Sequence, residues 1–136
     1  MLSKPPTITY DDLRRLGTLA VTEEGEPWGD VRCRNELAML LEEACAVEPQ
    51  CVPENVVTMN STVRLVNLDT GETRNATLVY PEDLEVFPDA ISVLDPLGIA
   101  LIGRAVGDVI RCSDEFGRWR VAEILYQPEQ VGMWCL

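Results

Sequence analysis

A chain of 136 residues has room for one domain and a small appendage. With 46% hydrophobic and 25% charged residues it has the balance of a globular protein, and no apolar run approaches the ~18–20 residues of a membrane span. The net charge of -12 is spread evenly, as 11 acids against 5 bases over residues 1–55 and 12 against 6 over residues 56–136. That balance excludes the basic field an autonomous nucleic-acid binder needs and fits a protein partner with a basic surface better.

The opening "MLSKPPTITYDD" contains no apolar h-region, so a secretory signal is not expected and the cytoplasm is the default location. Thr9 and Asp12 have the spacing of a capping box, and Leu13, Leu16 and Ala20 then recur at helical intervals. A first helix is predicted over about residues 10–21, although Gly17 inside it costs about 1 kcal/mol relative to alanine. "VTEEGEPWGD" reads as a loop, with Asp30 placed to cap a second helix over about residues 30–47. Within that helix Cys33, Leu37, Leu40, Ala44 and Val47 step by fours and threes. This is a seam for packing against the first helix or against a second chain. Pro49 and Pro53 end the segment, which places a boundary between a helical hairpin at residues 1–53 and a second domain at 54–136.

Beyond it the texture is that of strands. "VTMNSTVRLVNLD" and "TRNATLVYP" flank Asp69-Thr70-Gly71-Glu72, a turn in which Gly71 supplies a positive φ. "AISVL" reads as a short buried strand. "PLGIALIG" is one or two turns of helix, with Pro96 near its start and Gly103 just past its end. "DVIRCS" and "RWRVAEILY" make a second hairpin across residues 114–117. Four or five antiparallel strands with one short helix, following a helical hairpin, give an α+β class.

The stretch "SVLDPLGIALIGRAVGDVI" has nearly the glycine spacing of a phosphate-binding P-loop, yet the chemistry is missing. Ile99, Ala100, Leu101 and Ile102 belong in a core, Arg104 stands where the lysine is required, and Ala105 stands where a magnesium-binding hydroxyl is required. The glycines therefore read as backbone-shaping residues: Gly98 for close approach, Gly103 to end the helix, Gly107 to turn into a strand. The chain has no histidine, and its five cysteines, Cys33, Cys45, Cys51, Cys112 and Cys135, show no C-x-x-C spacing. No catalytic residue, metal site or cofactor is expected, and the cysteines read as reduced core residues. Glu23, Glu24 and Glu26 cluster at the hairpin tip, where a solvated polar loop is the plain reading and a Mg²⁺-attracting point the sharper one.

"VTMNS", "DTGE", "TLVYPED", "P-L-G-x-A-L-x-G-x-x-V-G-D" and "YQPE", spread over residues 56–132, are together highly specific. By these the chain resembles the C-terminal domain of GreA/GreB transcription factors and, more closely, the Rnk (regulator of nucleoside diphosphate kinase) family. The resemblance implies an FKBP-like antiparallel sheet wrapped around a short helix, preceded by an antiparallel helical hairpin. It further implies docking at the rim of the secondary channel of bacterial RNA polymerase through the loop before the short helix, here Leu94, Asp95, Pro96 and Leu97. Gre factors often read S-P-L-G there, where this chain reads D-P-L-G.

In Gre factors a long coiled coil carries tip acids to the polymerase's catalytic Mg²⁺. The two helices predicted here span only ~18 Å and ~27 Å at 1.5 Å per residue, too short for Glu23, Glu24 and Glu26 to reach that metal. The expectation is therefore a non-enzymatic polymerase-binding regulator that competes with Gre factors and lacks transcript cleavage. The rivals are a peptidyl-prolyl isomerase-like enzyme on the same fold, weakened by the shortage of spare aromatics to line a pocket, and a true cleavage factor with an acidic tip.

Overall fold

The computed structural model describes residues 5–20, 31–111 and 117–131. Strand β1 (Thr7–Thr9) runs directly into helix α1 (Tyr10–Ala20), which is followed by helix α2 (Val31–Glu43) and strand β2 (Cys45–Val47). Strands β3 (Thr62–Asn67), β4 (Thr73–Val79) and β5 (Ala90–Ser92) come next, then helix α3 (Pro96–Leu101), and strands β6 (Val109–Arg111) and β7 (Arg118–Tyr126). Short 3₁₀ turns lie at Pro49–Cys51, Pro81–Asp83 and Pro128–Val131. Each begins with a proline, whose fixed φ suits a helical first turn.

Thr9 caps α1 as its sequence predicts. The Asp12 N–H donates to Thr9 Oγ1 at 3.2 Å, while the buried Asp12 carboxylate turns away from the cap and accepts from the Met59 N–H at 3.3 Å. Half of the capping box is thus spent on tying α1 to a distant segment. Thr9→Ala should lower stability by about 1 kcal/mol, read as a shift in the denaturant midpoint with an unchanged slope.

The second helix ends at Glu43, earlier than its heptad-like pattern suggests. The Ala44 N–H closes a tight turn onto Leu41 O at 3.3 Å, and the Cys45 N–H then donates to Pro6 O at 2.8 Å. From there Cys45–Val47 pair in parallel with Thr7–Thr9. Val47 therefore belongs to a strand and not to the helical seam. Leu37, fully buried, joins Leu16 in the core of the single chain, and Leu40 packs against it.

The main sheet has the order β5-β4-β3-β7-β6. β3 pairs antiparallel with β4 and β7, and β6 antiparallel with β7. β5 pairs with β4 in parallel, which corrects the all-antiparallel expectation. Two register shifts, at Thr62/Val63 and Arg64/Leu65 against β7, curl the sheet as bulges do. Alternation along β3 sends Val63 and Leu65 inward and leaves Arg64 in solvent, paired with Glu123 across the strand. Gly71 has φ +80, and the turn it closes is held by Asn67 Oδ1, which accepts from the Asp69 and Thr70 N–H groups. The Arg118 side chain and N–H bond Asp69, and these hydrogen bonds hold the Asp69 carboxyl below its ordinary range.

One apolar cluster joins Ile8, Leu16 and Leu37 to Val57, Met59, Leu65, Leu78 and the α3 residues Leu97 and Leu101. The "VTMNS" segment expected to open β3 lies outside the strand. Asn60 takes φ 69, and Ser61 Oγ accepts from the Thr58 N–H at 3.0 Å, folding the segment back on itself. The cysteine expectation also needs correcting: Cys45 and Cys51 are exposed free thiols and not core residues.

Candidate functional site

The four residues singled out ahead of the short helix divide into two pairs. Leu94 and Leu97 are buried, 2% and 6% exposed, and they anchor the loop from below. Asp95 and Pro96 are exposed and supply the turn's only outward side chains. Ser92 builds this geometry. Its Oγ accepts from the Leu94 N–H at 3.0 Å, and its carbonyl accepts from the Asp95 N–H at 3.0 Å. Ser92 itself is buried at the end of β5, where the Val93 N–H continues the pairing onto Val79 O at 2.9 Å. A serine two residues ahead of the N–H it caps is the local sequence signal for this turn.

Asp95 is the N-cap residue of α3, with extended φ/ψ of -74 and 151, and Pro96 occupies the first helical position. The Asp95 carbonyl accepts from the Ile99 N–H at 2.9 Å, but its carboxylate makes no capping bond. It is therefore displayed to solvent beside the positive end of the helix and is available to a partner. Gly103, at φ +77, terminates the helix, and the Ile102 N–H bonds Gly98 O at 3.2 Å. Ile99, Leu101 and Ile102 are all buried, so the stretch cannot open into a phosphate cradle.

The same edge of the sheet carries a feature that the sequence reading passed over. Between the Pro81–Asp83 turn and β5, Leu84, Val86 and Phe87 are 40%, 63% and 39% exposed. β5 is an edge strand, with this apolar loop at one end and Asp95-Pro96 at the other. The available signal was three apolar residues set among turn-formers in "PEDLEVFPDA", which no strand or helix period absorbs.

Glu23, Glu24 and Glu26 lie outside the described residues. Among the described residues no group of three or more His, Cys, Asp or Glu side chains is placed to hold a metal ion, and no helix is long and apolar enough to cross a membrane.

Among the described residues, two buried ionisable groups, Asp12 and Tyr80, are strongly shifted and face each other. Asp12, 7% exposed, sits with its Oδ1 3.5 Å from the Tyr80 hydroxyl and its Oδ2 on the Met59 N–H. Burial, and then the charge of Glu129, push its carboxyl from 3.8 up to about 6, against the opposing Met59 N–H, Arg15 and Thr9. The Arg15 guanidinium lies 4.2 Å from the centre of the Tyr80 ring. Burial, followed by the Asp12 charge, raises the Tyr80 hydroxyl far above its ordinary range and keeps it a donor. This network joins α1 to the sheet.

Known proteins agree with this architecture. The family profile "Transcription elongation factor, GreA/GreB, C-term" matches residues 52–126. The "Regulator of nucleoside diphosphate kinase" of Escherichia coli (strain K12) is 36% identical over 99% of this chain and 100% of its own length. "Transcription elongation factor GreA" of Thermosipho africanus is 33% identical over 74% of this chain and 66% of its own. Among solved structures, "Prokaryotic transcription elongation factor GreA/GreB from Nitrosomonas europaea" superposes with a TM-score of 0.74 at 37% identity, covering 91% of this chain and all of that one. With the relationship running end to end through both the helices and the sheet, the chain belongs to the regulator of nucleoside diphosphate kinase family, a branch of the group that shares the GreA/GreB C-terminal domain.

Proposed function

We propose that this chain is a non-enzymatic transcription regulator that binds bacterial RNA polymerase near the secondary channel and lacks transcript-cleavage activity. In this reading residues 1–53 form a short helical hairpin, and residues 54–136 form an FKBP-like docking domain that competes with Gre factors for the same rim. The observation that carries it is a full-length family match combined with short helices. Within the described residues α1 has 11 residues and α2 has 13, lengths of roughly 16 Å and 20 Å. α2 is shorter than the pattern of its apolar residues implies, which strengthens the argument that acids between the helices fall short of a metal deep in the channel. The regulator works in this view by occupying the entrance. A net charge of -12 and the displayed Asp95 carboxylate suit a basic docking surface, while Leu84, Val86 and Phe87 offer it apolar area.

Pull-down with core RNA polymerase at low salt tests the reading, because exposed ionic contacts are then least screened. The protein should be retained, should displace a Gre factor, and should release no cleaved transcript from a stalled complex. Asp95→Arg combined with Pro96→Ala should weaken binding roughly tenfold, about 1.4 kcal/mol, with an unchanged circular dichroism spectrum. Loss of the Asp95 side chain costs the fold no capping bond. Absence of retention at low salt would exclude the reading, and unchanged affinity of the double variant would move the contact away from this turn.

A further inference from the structure

A second surface, remote in sequence from the docking turn, has the makings of a peptide site. β6 covers β7 only at Arg118–Arg120. The last backbone bonds on that side are those of Val121, whose carbonyl accepts from the Gly107 N–H at 2.7 Å and whose N–H donates to Asp108 O at 2.9 Å. Among the described residues no strand continues the pairing, so β7 is an edge from Ala122 to Tyr126. An open groove of about 440 Å³ lies along that edge, in the size range of ligand clefts. β7 forms one bank and Glu54, Asn55 and Val106 the other, with Gln127 at its end.

Gln127 gives the groove its polarity. It is 3% exposed, and its Nε2 donates to two carbonyls, Pro53 O at 2.9 Å and Val56 O at 2.7 Å. With carbonyls on that side, the nitrogen must face them, and the amide cannot flip. Oε1 is left as a buried acceptor with no partner among the described residues. A buried acceptor of this kind is costly unless a donor meets it. Val106, Ile124 and Tyr126 make the lining partly apolar, Glu54 makes the rim acidic beside a Glu123 already paired with Arg64, and no lysine or arginine lines it.

We infer that this groove binds an extended peptide segment of a partner protein. The segment adds to the free edge of β7, gives a backbone N–H to Gln127 Oε1, and alternates apolar with basic side chains. An extended chain is the one ligand that satisfies an open strand edge and a lone acceptor together, and its side-chain period of two places apolar groups against Ile124 and Val106 while a cation faces Glu54. The segment's chemistry does not depend on the polymerase reading, and either can fail without the other.

The probe is a labelled peptide of alternating lysine and valine, titrated into the full chain, with amide shifts followed by NMR. Saturable binding with shifts at residues 122–127 is expected. A glutamate–valine peptide, or a lysine–valine peptide with its backbone N–H groups methylated, should bind at least roughly fivefold more weakly. Gln127→Ala should weaken binding too, although it also removes the anchors to Pro53 and Val56. Glu54→Lys, on an exposed residue, keeps both anchors and should weaken the lysine–valine peptide by a similar factor. Equal affinity for the methylated peptide, equal affinity for the glutamate peptide, shifts lying elsewhere, or no saturable binding would each overturn the inference.

Discussion

Gly98→Ala should destabilise the protein by about 3–5 kcal/mol, enough to unfold much of it, whereas Gly17→Ala should stabilise it by up to about 1 kcal/mol. The chemical change is the same methyl group in two helices. At Gly17 a Cβ would meet nothing within 4 Å, so only the helix propensity of alanine counts. At Gly98 the Cβ would stand 2.0 Å from the Ser92 carbonyl oxygen and 2.9 Å from both Ser92 C and Val93 Cα. All three are backbone atoms, so no rotamer change relieves the overlap.

Relief would require α3 to lift from the end of β5. Leu97 and Leu101 would then leave the core, and Ser92 would lose the geometry with which it ties down Leu94 and Asp95. The turn that displays Asp95 and Pro96 is in this way set by a helix packed backbone to backbone on a strand. Chemical denaturation of both variants measures the contrast. A Gly98→Ala protein within 1 kcal/mol of the parent would mean that α3 does not rest on β5 as closely as the structure has it.

How far the sequence disclosed this arrangement depended on whether the deciding interaction was local. The Thr9 cap, Pro96 at the start of α3, and the turns at Gly71 and Gly103 were legible because each is governed by residues within a few positions. The close approach at Gly98 was legible as a need, but its partner Ser92 was not named. The end of α2 was missed because the steps of four and three run on through Ala44 and Val47 without a break. What stops the helix is the pairing of Cys45–Val47 with Thr7–Thr9, a strand far back in the chain. β5 was misjudged in direction for a related reason: a three-residue apolar strand carries no mark of parallel or antiparallel pairing. The candidate docking turn was found through family likeness, yet its division into buried Leu94 and Leu97 and exposed Asp95 and Pro96 needed the packed structure. The apolar loop at 84–87 and the Gln127 acceptor were missed because exposure and unpaired atoms are tertiary properties.

Asp12 offers the other large effect, and its sign is opposite to that of most carboxylates. Its folded pKa, about 6, lies above the 3.8 of an ordinary aspartate, so the folded protein holds this proton more tightly than the unfolded chain does. The contribution to stability is therefore full below about pH 4, falls as pH rises to about 6, and is flat above. A shift of this size is worth about 3 kcal/mol at neutral pH. Asp12→Asn removes the charge while keeping an oxygen for the Met59 N–H and adding a donor that can face Tyr80. It should therefore raise stability by about 1–2 kcal/mol at pH 7–8 and have almost no effect at pH 4. The groups facing the site are Thr9 from the end of β1, Arg15 from α1, Met59 and Tyr80 from the sheet side, and Glu129 from the last 3₁₀ turn. Glu129 also accepts from the Thr58 hydroxyl at 2.7 Å, so its charge is held in place rather than free to swing away. Comparing the two proteins by denaturation between pH 4 and pH 8 cancels the titration of every other carboxylate, including the oppositely shifted Asp69. The difference should open between about pH 4 and 6 in favour of the asparagine variant. Parallel curves would show that the carboxylate is solvated and that α1 is not held to the sheet through a buried charge.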